Sequence, residues 1–149
     1  MQKINASPLV SLSAQIDERD LLNLADDGVQ LIICNRPDGE SANQPSFNVI
    51  KKAALELGIE AVSIAFKSGE MDLHHIESFT RLLNTGKKTH AYCRTGNRSF
   101  CLYAAFHAST GKPEKEITAL SKEIGYDITQ YITPYYSGGH NPLERFETE

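Results

Sequence analysis

His90-Ala91-Tyr92-Cys93-Arg94-Thr95-Gly96-Asn97-Arg98-Ser99 reads as a short apolar strand, a tight polar loop and the first turn of a helix. Amide N–H groups at a helix start lack intrahelical partners, and with the helix dipole they favour negative charge in the loop before them. A cysteine at that junction, flanked by Arg94 and Arg98, is placed to be a thiolate. Gly96 lets the backbone fold over an anion with no side chain in the way. Arg98 brings a planar fork that can clamp the anion, and the Ser99 hydroxyl can donate back to the sulfur. Cys93, Arg98 and Ser99 are thus candidate catalytic residues, and Arg94, Thr95, Gly96 and Asn97 are candidate substrate-binding ones. The plain alternatives are a buried structural thiol for Cys93 and a solvent-facing position for Arg94.

Outward from this loop, apolar strands alternate with helical stripes. Leu9–Ser13 alternates apolar and polar, as a half-exposed edge strand does. Val29–Cys34 and Ala61–Phe66 are short apolar runs suited to buried parallel strands, and Thr89–Cys93 is the fourth. Asp17, Ser46 and Asp72 are placed to cap helices whose apolar positions follow the helical period. Pro113 opens a last helix, closed by Gly125. This order predicts a single α/β domain, compact over about residues 9–136, with a mostly parallel sheet and helices on both faces. The tail from Ser137 to Glu149 has few apolar residues and is expected to be flexible. Loops after parallel strands gather at the carboxyl edge of the sheet, so Asn35–Pro45 and Lys67–Asp72 share the edge of Cys93.

The Cys93 loop is similar to two known ones. Cysteine phosphatases share Cys-x5-Arg followed by Ser or Thr, and Cys93-x4-Arg98-Ser99 resembles that loop with one residue missing. The shorter form resembles the active loop of rhodanese sulfurtransferases. A wider pattern covers about Val10 to Tyr136: Arg36-Pro37-Asp38-Gly39-Glu40, Gln44-Pro45-Ser46 and Tyr92–Ser99 resemble the bacterial phosphatase-like family named after a beta-lactamase hydrolase-like protein. This resemblance implies a fold related to the dual-specificity and tyrosine phosphatases and a cysteinyl-phosphate mechanism on a phosphate ester, with no metal or organic cofactor. The loop length implies, as the alternative, a sulfurtransferase carrying a persulfide on Cys93. An oxyanion-binding module without turnover is the third reading.

A phosphatase needs a general acid for the leaving oxygen. By resemblance it belongs in Lys67–Asp72, where Glu70 and Asp72 are the only carboxylates; Asp72 is equally explained as a helix cap. Arg36 and Asp38, with Glu40, could hold substrate or orient Arg98, although Pro37-Asp38-Gly39 is also ordinary turn chemistry. Cys101 reads as core packing. Cys34 reads the same way, with a protective partnership to Cys93, known in related phosphatases, as the alternative. No histidine has a partner at metal-ligand spacing.

Composition narrows the partners. The 149 residues carry a net charge of -4, which offers no broad basic surface for nucleic acid or an acidic membrane. Three widely separated cysteines are no disulfide framework, and no apolar run is long enough for a leader or a membrane helix. The expectation is a soluble cytoplasmic protein acting on a small anionic or phosphorylated molecule, with the oligomeric state left open.

Overall fold

The computed structural model describes residues 1–125. In chain order it contains β1 (Ile4–Ser7), β2 (Val10–Ser13), α1 (Glu18–Asp26), β3 (Leu31–Cys34), α2 (Phe47–Glu56), β4 (Glu60–Ser63), α3 (Leu73–Leu83), β5 (Thr89–Tyr92), α4 (Asn97–Ser109) and α5 (Glu114–Ile124). The strands form one sheet in the order β1-β2-β5-β3-β4. β1 runs antiparallel to β2, and every other pairing is parallel. The predicted α/β architecture with a mostly parallel sheet is therefore present. The tail from Ser137 onward lies outside the described residues.

Local chemistry accounts for most helix ends. Asp17 accepts from the Asp20 amide and Asp20 returns the bond, a complete capping box. Ser46 accepts from the Val49 amide, and Asp72 accepts from the His75 amide. Helices α1, α2 and α3 each bury one stripe, whereas α4 is buried nearly all round. Leu21 and Leu24 of α1, with Ile50 and Ala54 of α2, meet Ile32, Cys34 and Tyr92 on one face of the sheet. Ile76 and Phe79 of α3, with Phe100, Leu102 and Ala104 of α4, meet Leu12, Ile33 and Ala91 on the other. Period-two alternation along β3 and β5 thus feeds two separate cores, and each fully buried Leu, Ile or Phe contributes about 1.5–3 kcal/mol.

One strand departs from expectation. Leu9–Ser13 is not a half-exposed edge: all four residues of β2 are buried, because β1 pairs outside it. Ser11 and Ser13 do not face water. They face the fully buried His90 of β5, at 2.7 Å from Nδ1 and 2.8 Å from Nε2. The Ser13 hydroxyl gives its proton to the Ala14 carbonyl, so Nε2–H donates to Ser13 Oγ and Nδ1 accepts from Ser11. The ring is neutral and satisfied. Burial, and secondarily Lys3, push its pKa from 6.5 down to about 3. A folded value below the unfolded one means that stability is complete above about 6.5 and is lost as pH falls from there toward 3. Urea midpoints between pH 7 and 4.5 should fall more steeply for the wild type than for His90→Gln; parallel slopes would remove His90 from the acid response.

The register places the site. Cys34 lies opposite Tyr92 and Ser63, and Ser13 also lies opposite Tyr92, so the carboxyl ends of β2, β5, β3 and β4 end in line. The chain leaves β5 for α4 on one face and leaves β3 for α2 on the other. Adjacent parallel strands whose connections diverge open a crevice between them, the usual ligand position of such sheets.

Candidate functional site

Cys93 follows β5 at the mouth of this crevice. Its sulfur is fully buried and accepts the Gly96 amide at 3.1 Å, so the loop closes around it. Gly96 sits at φ 96°, a left-handed conformation that side chains resist. That conformation turns the chain into α4. Thr95 Oγ1 accepts the Asn97 amide at 3.3 Å across Gly96. Arg94 and Thr95 are exposed, while Asn97 is half-buried.

Arg98 turns back across the opening and is 7% exposed. Its Nη1 and Nη2 donate to the two carboxylate oxygens of Glu40 at 2.9 and 2.8 Å, and Nη1 also donates to the Phe66 carbonyl at 3.0 Å. Burial opposes the charge of this guanidinium, but the Glu40 carboxylate and the Cys93 sulfur beside it prevail and raise its pKa. The Arg98 hydrogen bonds hold the Glu40 carboxyl below its ordinary value against desolvation, with Arg36 assisting.

Arg36 does not present a free fork to a substrate. Its Nε donates to Glu40 at 3.0 Å, Nη1 to Gln15 at 2.9 Å and Nη2 to Ser41 at 3.4 Å. Glu40 is thus held between two guanidinium groups. Gln44 pins the loop that carries it, accepting the Glu40 amide and donating to the Pro37 carbonyl. Asp38 accepts the Phe47 amide at 2.8 Å and serves the start of α2. The motif Arg36–Glu40 with Gln44–Ser46 therefore builds one brace for Arg98.

Other candidates fall elsewhere. The Ser99 hydroxyl donates to Asn35 Oδ1 at 2.8 Å, so its proton is not directed at the sulfur. Asp72 is exposed and committed to the α3 cap, with His75 Nδ1 accepting its amide. Cys34 donates to the Arg36 carbonyl at 3.3 Å and packs in the α1–α2 core, where burial pushes its thiol pKa up. Cys101 packs in the opposite core, and burial pushes it up to about 12. The three thiols are unpaired. Iodoacetate at near-neutral pH is expected to alkylate Cys93 first, because its sulfur faces amide N–H and guanidinium groups that draw in the anionic reagent. Peptide mapping that finds Cys34 or Cys101 labelled sooner would remove Cys93 from the centre of the site.

Asn35 had no assigned part in the sequence reading, yet it ties the edge together. Its amide donates to the Tyr92 carbonyl, Nδ2 donates to the Ile64 carbonyl, and Oδ1 receives Ser99. The signal was its position, the first residue after β3 at the carboxyl edge.

A family model described as beta-lactamase hydrolase-like protein, phosphatase-like domain, matches residues 4–110. The chain belongs to this family. Beta-lactamase hydrolase-like proteins of Xylella fastidiosa are 27% identical over 135 residues, covering 89% of this chain and 31% of the relative. That of Agrobacterium fabrum is 25% identical over 130 residues, covering 86% and 30%. The chain thus spans about a third of the length of these curated relatives. A Neisseria meningitidis protein assigned provisionally as a phosphatase superposes with a TM-score of 0.78 at 27% identity, covering 89% of this chain and 95% of its own. PTPMT1 superposes with a TM-score of 0.72 at 16% identity over 99% and 100%, which speaks for the fold alone. The family makes this a phosphatase-like domain, and the structural neighbours show that its fold is that of the protein tyrosine phosphatases. Among the described residues no helix is long and apolar enough to cross a membrane.

Proposed function

We propose that this chain is a cysteine-dependent phosphatase working through a cysteinyl-phosphate on a small anionic or phosphorylated substrate. The observation that carries the reading is the pairing of the Cys93 sulfur, under the Gly96 amide, with a guanidinium fixed by Glu40. Cys93 attacks phosphorus, forming the S–P bond as the ester P–O bond breaks. Loop amides and Arg98 stabilise the charge on the remaining oxygens. Asp72 caps α3 and Glu70 is exposed on the same loop, and we assign the general-acid role to neither; a proton from solvent then favours phenolic over alkyl leaving groups. Water then attacks phosphorus, the S–P bond breaks, and inorganic phosphate leaves with the thiolate restored. Every step uses groups of this chain and water.

One observation favours a second reading: only four residues separate Cys93 from Arg98, a length similar to that of sulfurtransferase loops. The test is to assay p-nitrophenyl phosphate hydrolysis and thiosulfate:cyanide sulfur transfer on one preparation, with Cys93→Ser as control. Phosphate turnover lost in the variant supports the proposal. Sulfur transfer alone replaces it with the second reading, and phosphate binding with neither activity replaces it with an anion-binding module.

A further inference from the structure

The two ends of the Cys93 loop hang on different supports. Past its last residue, β2 continues beside the chain that leaves β5: the Ser13 carbonyl accepts the Cys93 amide at 3.4 Å, and the Gln15 amide donates to the Arg94 carbonyl at 3.4 Å. The front of the loop therefore rides on the segment between β2 and α1, which Ile16 anchors in the core of α1 and α2. The rear of the loop, at Arg98, is held instead by Glu40, on the connection between β3 and α2. An anion gripped from both sides must fit the gap between two separately supported parts.

The half-buried side chain of Gln15 joins these supports. Its Oε1 accepts Arg36 Nη1 at 2.9 Å, and Nε of the same guanidinium donates to Glu40 at 3.0 Å. Its Nε2 donates to the Ile16 carbonyl at 2.9 Å, which leaves the amide oxygen turned toward Arg36. Arg94, Gln15, Arg36, Glu40 and Arg98 are thus linked in series, and the Cys93 loop closes them into a ring. We propose that Gln15 is a positioning residue that ties the front of the loop to the Arg36–Glu40 brace, and so sets the gap between the loop amides and Arg98 and the size of oxyanion held there. Gln15 acts through Arg36 and Glu40, without touching the anion. The proposal deepens the phosphatase reading, and rests on it only for taking that anion to be the transferring phosphoryl group.

Sulfate and tungstate serve as the probes, since both are tetrahedral dianions and tungstate is the larger. Each is titrated as a protectant of Cys93 against iodoacetate, so that peptide mapping reads binding at this site alone. Gln15→Met keeps the length of the side chain and removes the acceptor for Arg36. With the ring cut, the gap widens: sulfate should bind about tenfold weaker, the lower end for a hydrogen bond to a charged group, and tungstate no more than about threefold weaker. The sulfate-to-tungstate affinity ratio therefore falls. Gln15→Glu keeps an acceptor; its charge repels the two dianions alike, so their ratio should stay within about twofold of the wild-type value. Gln15→Asn, one methylene short of Arg36, should match Gln15→Met and carries the test if that variant does not fold. A general loss of stability lowers both affinities together and leaves the ratio unmoved. A ratio that does not fall in Gln15→Met, or that falls as far in Gln15→Glu, overturns the assignment, as does a wild type that neither anion protects. A ratio that shifts as expected, in a protein whose wild type turns over no aryl phosphate, removes the phosphatase reading and supports the place of Gln15.

Discussion

Glu40→Ala is expected to lower kcat for p-nitrophenyl phosphate by about 10²-fold while KM changes only a few-fold. Two effects compete. Removing the carboxylate frees the Arg98 fork, now held at 2.9 and 2.8 Å, and a misplacement of about 1 Å in a catalytic group costs roughly 10²-fold. It also removes a negative charge beside the bound anion, a repulsion of about 2–3 kcal/mol at roughly 6 Å and an effective dielectric of 20. The second effect offsets the first in ground-state binding. It does not restore geometry in the transition state, so the loss appears in kcat. Stability falls too, by about 1–2 kcal/mol, because Glu40 is itself exposed and water screens the loss, while Arg98 keeps the Phe66 carbonyl and the Cys93 sulfur, and Arg36 keeps Gln15 and Ser41. The pH dependence has a definite sign. A carboxyl whose folded pKa is lowered contributes stability above its unfolded value and loses it as pH falls through the folded one. The brace should therefore survive mild acid and fail only below the ordinary carboxylate range. Unchanged kcat in Glu40→Ala would mean that the loop alone holds Arg98.

What was legible in the sequence was local. The caps Asp17, Ser46 and Asp72 each act within three residues, and the apolar periods of α1 to α3 each concern a single element. The Cys93 loop was legible for the same reason, since its sulfur, glycine and arginine lie within six residues. Long-range pairing was not. The residues of β1 show no signal of their own, yet their pairing turns β2 from an edge into an interior strand and Ser11 and Ser13 from exposed to buried. Ser99 has a sulfur six positions away in sequence, but its proton goes to Asn35, 64 positions away. Glu40 was visible as one of three charges that could hold substrate or orient Arg98, but which of them meets Arg98 was not, because that bond spans 58 positions. The cap role of Asp72 is local as well, its carboxylate accepting the His75 amide three positions on.

Arg98→Lys is expected to lose about 10²–10³-fold in kcat/KM although the charge is kept. A lysine ammonium is a point charge that cannot satisfy both Glu40 oxygens and the Phe66 carbonyl in one plane while facing the anion. The informative comparison combines it with Glu40→Gln, which keeps one acceptor oxygen and removes the charge. If Glu40 acts through Arg98, then Glu40→Gln costs much in the wild type and little in the Arg98→Lys background. The coupling should fall at the upper end of the roughly 0.5–3 kcal/mol found for residues in direct contact. A general loss of stability would lower activity in both backgrounds alike, so thermal melts of the four proteins separate the two accounts. Sulfate titration supplies the second axis: Arg98→Lys should weaken binding, and Glu40→Gln should leave it within a few-fold. Additive losses in kcat/KM would place Glu40 against the substrate itself and end its assignment as the brace of Arg98.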